Sequence, residues 1–181
     1  MSVAAWLRKL TLVTHLTVSL GWIGAVMVYV ALGIWAVRAP DVETVRSAWA
    51  AMELTGWYVI VPLAVAALVT GVVISLGTPW GLFRHYWVLF SLGLTAFSTV
   101  ILVLHMPSVS AGAAMARTMD SSHLSGMGGD LFHPSVGLVV LLIVAVLNVY
   151  KPRGLTPYGW RKAEQRRRAT SLVGTVPEQA S

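Results

Sequence analysis

The sequence predicts an all-α protein, a four-helix transmembrane bundle running up-down-up-down with both termini in the cytoplasm. Three observations predict it. Of 181 residues, 56% are hydrophobic and 11% are charged, less than half the roughly 25% charge of a soluble domain. The charged residues that do occur divide the chain into four uncharged runs, 10–37, 54–83, 85–116 and 131–150, which are 28, 30, 32 and 20 residues long. About 20 apolar residues suffice for a helix to cross the hydrocarbon core. Finally, the basic residues are lopsided. With the termini and the middle loop on one side, that side holds ten of the 13 lysines and arginines, and the other holds only Arg38, Arg46 and Arg117. Basic loops stay in the cytoplasm, so residues 38–53 and 107–133 should face outward. The runs are apolar on all sides, which argues against the alternating strands of a membrane barrel.

The first span, 10–37, follows Arg8 and Lys9 as a signal peptide would. It is nearly twice the roughly 7–15 residues of a signal core and carries Trp22 and Trp35, so it reads as a retained helix. The second, 55–77, opens on Glu53, whose charge a helix N-terminus favours, and Pro62 should kink it. The third, 86–106, carries a polar stripe of Ser91, Thr95 and Ser98, read as helix packing like Gly21 and Ala25 on the first. The fourth, 134–151, begins at Pro134, a residue suited to the first helical position. Trp80, Trp87, Tyr150, Tyr158 and Trp160 fall at the inner interface and Trp57 and Tyr58 near the outer one, where aromatics anchor. Residues 1–160 thus form one transmembrane domain. Residues 161–181 form a basic cytoplasmic tail, expected to be disordered and to bind anionic lipid headgroups. Nucleic acid is not an expected partner, because the tail lacks aromatics for base stacking.

There are no cysteines, which excludes disulfides, thiolate metal sites and cysteine nucleophiles. No phosphate loop, nucleophile elbow or HExxH pattern is present. The chemistry must come from polar residues within or beside the spans. His15 lies inside the first span with Ser19 and Trp22 on its face. It reads either as a haem ligand or proton carrier, or as a structural histidine bonded to a neighbouring helix. His85 begins the third span on the inner side and is the nearest partner for His15 by depth. His105 ends that span 20 residues on, about 30 Å away, at the depth of His133. His105 and His133 are therefore a competing, outer pair.

Residues 105–133 are the densest feature. They hold His105, Met106, Met115, Met119, His123, Met127 and His133, seven of the eleven methionines and histidines beyond the initiator. Met115, Met119 and His123 are spaced by four and would form one helical stripe. Thioether and imidazole without cysteine suit Cu(I), although a methionine stripe also serves as a packing face. Asp120 and Asp130 would suit a harder cation.

The segments HLTVSLGWIGAVM (15–27), MELTGWYVIVPLAVAALVTG (52–71), GTPWGLFRHYWVL (77–89) and NVYKPRGLTPYGWR (148–161) resemble a family of small bacterial four-helix integral membrane proteins of unknown function. The resemblance implies a bundle in the bacterial inner membrane and no established activity. His15 with Trp22, then Met52-Glu53, Pro62 and Gly71, is more distantly similar to the haem-binding membrane protoporphyrinogen oxidases. That likeness implies a haem ligand at His15. The second ligand of that family, a lysine four residues after a tryptophan, is replaced here by Ser91 after Trp87. The helix pattern is also similar to copper-resistance D-type membrane proteins, which implies copper handling, and to small membrane b-type cytochromes.

Three functions follow as expectations. One is a haem b redox protein using His15, His85, His105 or His133. Another is copper or other metal binding or transport through His105, Met115, Met119 and His123. The third is a non-catalytic scaffold or accessory subunit, acting as a homo-oligomer or with a membrane protein partner.

Overall fold

The structure, a computed structural model, describes residues 3–78, 81–118 and 129–173. Among these the chain is helical between short connections, two of which meet in an isolated antiparallel bridge between His85 and Leu155. Its helices are α1 (Val3–Val37), α2 (Val42–Thr55), a π-helical turn (Gly56–Ile60), α3 (Val61–Gly77), α4 (Tyr86–Thr118), α5 (Phe132–Tyr150) and α6 (Pro157–Val173). Helices α2 and α3 are continuous through the π-turn, so four segments are long and apolar enough to cross a membrane: Trp6–Val37, Val42–Gly77, Tyr86–Thr118 and Phe132–Tyr150. This bears out an all-helical, multi-pass membrane protein.

The four segments pack as a ring. Helix α1 lies against α2 and α3, α4 lies against α2, α3 and α5, and α5 closes onto α1. The outer surface is strongly apolar: Leu20, Leu76, Phe90, Phe97, Leu104 and Val149 are all more than 60% exposed. A soluble monomer rarely shows contiguous apolar patches beyond a few hundred Å². A hydrocarbon solvent accounts for a surface of this kind. Helix α5 illustrates the point, for Leu141 is its single buried residue.

Two helices run further than the sequence expects. The second and third spans extend into 42–55 and 107–118, both expected to be outer loops. The 36 residues of Val42–Gly77 would reach about 54 Å as helix, well beyond a core of about 30 Å. The cause is packing. Val45, Ala48, Trp49 and Met52 of α2 are buried, as are Met106, Val109, Ala113 and Ala116 of α4. Small residues let the two approach closely, and at Gly112 the Trp49 ring occupies the space a Cβ would need. The charged residues that made these segments look like loops are used as ties between them. Arg46 Nε donates to the Ala116 carbonyl at 3.0 Å, and Arg117 Nη2 donates to Glu53 Oε2 at 3.1 Å. Glu53 therefore does not open a helix. It lies near the end of α2, and Asp41 caps that helix, accepting from the Thr44 N–H at 2.8 Å.

Pro62 acts through the turn before it. The Val61 N–H reaches back five residues to the Gly56 carbonyl, the π spacing, which widens the helix just where a proline removes an N–H. On α4, Thr95 and Thr99 hydroxyls bond to their own helix, at Ser91 O and Thr95 O, 2.8 Å each. Those bonds satisfy the hydroxyls within the helix.

Residues 157–173 form α6, so the basic tail is helical as far as Val173; the rest of it lies outside the described residues. Its first turn is pinned. The Thr156 hydroxyl donates to the Phe83 carbonyl at 2.5 Å and accepts from the Gly159 N–H at 3.1 Å, and the Thr156 N–H donates to Arg84 O at 3.0 Å. Thr156 is 5% exposed, a buried cap that ties the start of α6 to the segment preceding α4. Further along, Arg168 Nε bonds Glu164 Oε1 at 3.1 Å, four residues apart.

Candidate metal centre

Of the four histidines expected to bind a cofactor, the structure joins two. His105 on α4 and His133 on α5 meet around Asp130, with one donor atom from each within 4.8 Å of the others. His105 Nε2 lies 2.7 Å from Asp130 Oδ2. A carboxylate accepts and cannot donate, so Nε2 carries the proton of that bond. His133 Nδ1 lies 3.9 Å from Asp130 Oδ1, outside hydrogen-bond range. The two imidazoles stack, with centroids 3.9 Å apart and planes at 26°. The Tyr29 hydroxyl, from α1, donates to the same Asp130 Oδ2 at 3.1 Å.

Each residue is placed by a local cause. Tyr29 is 4% exposed and lies on the buried stripe of α1 with Trp22, Val26 and Ala36. Asp130 precedes the first turn of α5, where its side chain can reach His133 three residues on. Close approach to α1 fixes its backbone, since a Cβ at Gly33 would come within 3.0 Å of the Asp130 carbonyl. Sequence reasoning named His105, His133 and Asp130 and missed Tyr29. The signal for it was available: Tyr29 lies seven residues after Trp22 and fourteen after His15, on the same face of the helix.

His15 and His85 lie elsewhere. Tyr29 is about 21 Å along α1 from His15. His15 Nδ1 is 2.9 Å from Thr70 Oγ1 on α3. Because the Thr70 hydroxyl donates to Ala66 O at 2.7 Å, it accepts from His15. This contact supports the structural reading of His15, a bridge between two helices. His85 lies in the bridge with Leu155. Met115, expected in the copper stripe, is on α4 and 49% exposed; Met119 and His123 lie outside the described residues.

Beside the triad is a cavity of about 140 Å³, lined by His105, Asp130, His133 and Tyr29 at its polar end and otherwise by apolar residues, Trp22 and Phe97 among them. A haem does not fit this place. The stacked rings leave no slot between them for a macrocycle, and the cavity is far below the roughly 300–1,000 Å³ of a pocket for a drug-sized ligand.

The donors suit a bare ion better. Imidazole and carboxylate at about 2.0–2.2 Å from a tetrahedral ion would stand some 3.3 Å from one another. The three donors lie within 4.8 Å of one another, and an ion bound there would replace the proton that His105 Nε2 donates to Asp130 Oδ2. Two imidazoles and one carboxylate favour a borderline divalent ion over the soft Cu(I) expected from the methionines.

The fold and site together define a multi-pass helical membrane protein with an ionisable cluster in its bundle. No protein-family model, curated protein or solved structure matches the chain.

Proposed function

We propose that this is an integral membrane protein of the bacterial inner membrane that binds one divalent transition-metal ion, such as Cu(II) or Zn(II), at His105, Asp130 and His133. The observation that carries the reading is the convergence of the three donors from α4 and α5 within 4.8 Å. Ionisable residues inside a membrane bundle are costly and mark functional sites, and this group is the one set of three such donors among the described residues. Tyr29 orients the carboxylate from outside the coordination sphere, as second-shell donors do.

The basic residues orient the bundle up-down-up-down with both termini cytoplasmic, which sets the triad toward the outer face. The basic helix α6, with Arg161, Lys162, Arg166 and Arg167 exposed, then lies at the inner leaflet against anionic headgroups.

Metal analysis of protein purified in detergent, followed by calorimetric titration with Zn(II) and Cu(II), tests the site. One equivalent per chain is expected. Replacing His105, Asp130 or His133 by Ala should weaken binding at least roughly tenfold each, the lower end of losses already seen for second-shell partners. Wild-type protein that takes up neither ion, or a His105→Ala/His133→Ala double variant that binds as tightly, would sink the proposal.

A further inference from the structure

All three donors of the triad line one cavity. His105, Asp130 and His133 border a space of about 140 Å³ whose remaining wall is almost wholly apolar, with Val26, Ile60 and Leu141 in it. An ion held between those donors therefore borders the cavity. Three protein ligands leave a divalent ion with an open position. Two imidazoles with one carboxylate are also the set that holds ferrous iron with positions free for a small ligand. The cavity opens toward lipid between α4 and α5, where Phe97 and Phe132 line it and are 63% and 75% exposed. A molecule arriving by that route comes out of the hydrocarbon.

Two constraints then select the ligand. It must carry a lone pair for the ion. It must also reach the ion past a wall that offers almost no hydrogen bonds: apart from the triad and Tyr29, Ser98 is the only hydroxyl-bearing side chain among the lining residues. An ion or a polar solute would give up its hydration there without replacing it. Water needs two to four polar partners, and apolar cavities of about this size take apolar guests such as xenon. A neutral diatomic meets both conditions, because it dissolves in hydrocarbon, asks for no hydrogen bond and binds a metal end-on.

We infer that the cavity admits a neutral diatomic of the dioxygen or nitric oxide class from the bilayer to a ferrous ion at His105, Asp130 and His133. The inference rests on the metal reading above and names the ligand of that site. The step is a ligand exchange at the ion: one water leaves as the lone pair of the diatomic binds, and no electron passes to another group.

The test uses the full chain in lipid nanodiscs, loaded with Fe(II) under argon, and nitric oxide as the probe. A ferrous–nitrosyl complex has half-integer spin and is read by electron paramagnetic resonance, whereas the ferrous ion alone gives no conventional signal. One such complex per chain is expected in the wild type and none in His105→Ala/His133→Ala. Gly137 lines the cavity from α5, and a Cβ there would meet nothing within 4 Å. Gly137→Leu should therefore grow into the space and weaken nitric oxide binding at least roughly tenfold, because side chain and ligand compete for it, while Fe(II) still binds. If that variant loses iron too, Val140→Phe, one turn along the same wall, makes the same comparison. Gly93 on α4 has equally open surroundings and does not line the cavity, so Gly93→Leu should bind nitric oxide as the wild type does. Iron-loaded wild type without the nitrosyl signal would overturn the inference and leave the metal reading standing. So would nitric oxide affinity unchanged by filling the cavity, or uptake of Zn(II) without uptake of Fe(II). Wild type that takes up no divalent ion would overturn both.

Discussion

Asp130 accepts two hydrogen bonds on a single carboxylate oxygen, from Tyr29 and His105, and so ties α1, α4 and the start of α5 together. Removing one of those donors tests how much the tie contributes. Tyr29→Phe keeps the buried ring and deletes the bond. It should destabilise the protein by about 0.6–2 kcal/mol, between typical interhelical bonds in membranes and bonds to a charged acceptor. Unfolding by sodium dodecyl sulfate titration would measure it, and an unchanged midpoint would show that the bond contributes nothing. Outside the membrane, Asp41 caps α2. The Thr44 N–H and hydroxyl bonds hold its carboxyl below the usual carboxylate range. A depressed pKa means that the cap stabilises fully above the unfolded value and is lost as pH falls through the folded one. The Tm difference between wild type and Asp41→Ala should therefore be constant from neutral pH to about pH 5 and shrink below about pH 4. A difference that stays flat to pH 3 would contradict this.

Buried side chains line the contact between α2 and the C-terminal half of α4. Met52 is fully buried there and Trp49 sits over Gly112, so this end of the bundle has a conventional side-chain core. Met52→Ala should cost about 2–5 kcal/mol, the usual range for emptying a buried site of that size. An equivalent truncation of Leu142 on α5, 49% exposed to lipid, should cost far less. Comparing the two by thermal melts in one detergent checks the contrast, and similar losses would show that α5 packs against something further. The Arg117–Glu53 pair lies at the surface, with Arg117 55% exposed, and a pair of that kind contributes at most about 1 kcal/mol.

For the whole molecule, the absence of cysteine makes orientation directly measurable. Any introduced cysteine is a unique reporter. A membrane-impermeant maleimide applied to intact spheroplasts should label Ser47→Cys on α2 and spare Thr170→Cys on α6, with both labelled after lysis. The opposite pattern would invert the topology and place the triad toward the cytoplasm. The same experiment bears on α6, whose first turn is fastened through Thr156 to the chain just before α4.

Composition alone determined the class of this protein. Hydrocarbon offers backbone polar groups no partner, so a span must be a helix or part of a closed barrel, and four long runs without alternation leave the helix. The sequence also marked His105, His133 and Asp130 as residues of interest. It misplaced the helix ends, since a search for spans stops at Arg46, Glu53 and Arg117, and these charges are accommodated by ties between α2 and α4. It left His15 and the outer histidines as competing candidates, because depth along a helix is legible from spacing and neighbours across helices are not. Only the packing of α1, α3, α4 and α5 decided that His105 and His133 share Asp130, that Tyr29 joins them, and that His15 is bonded to Thr70. Those contacts lie 25 to 101 residues apart in the chain, and such separations are set by which faces the bundle buries, a property of the assembled helices and of no single segment.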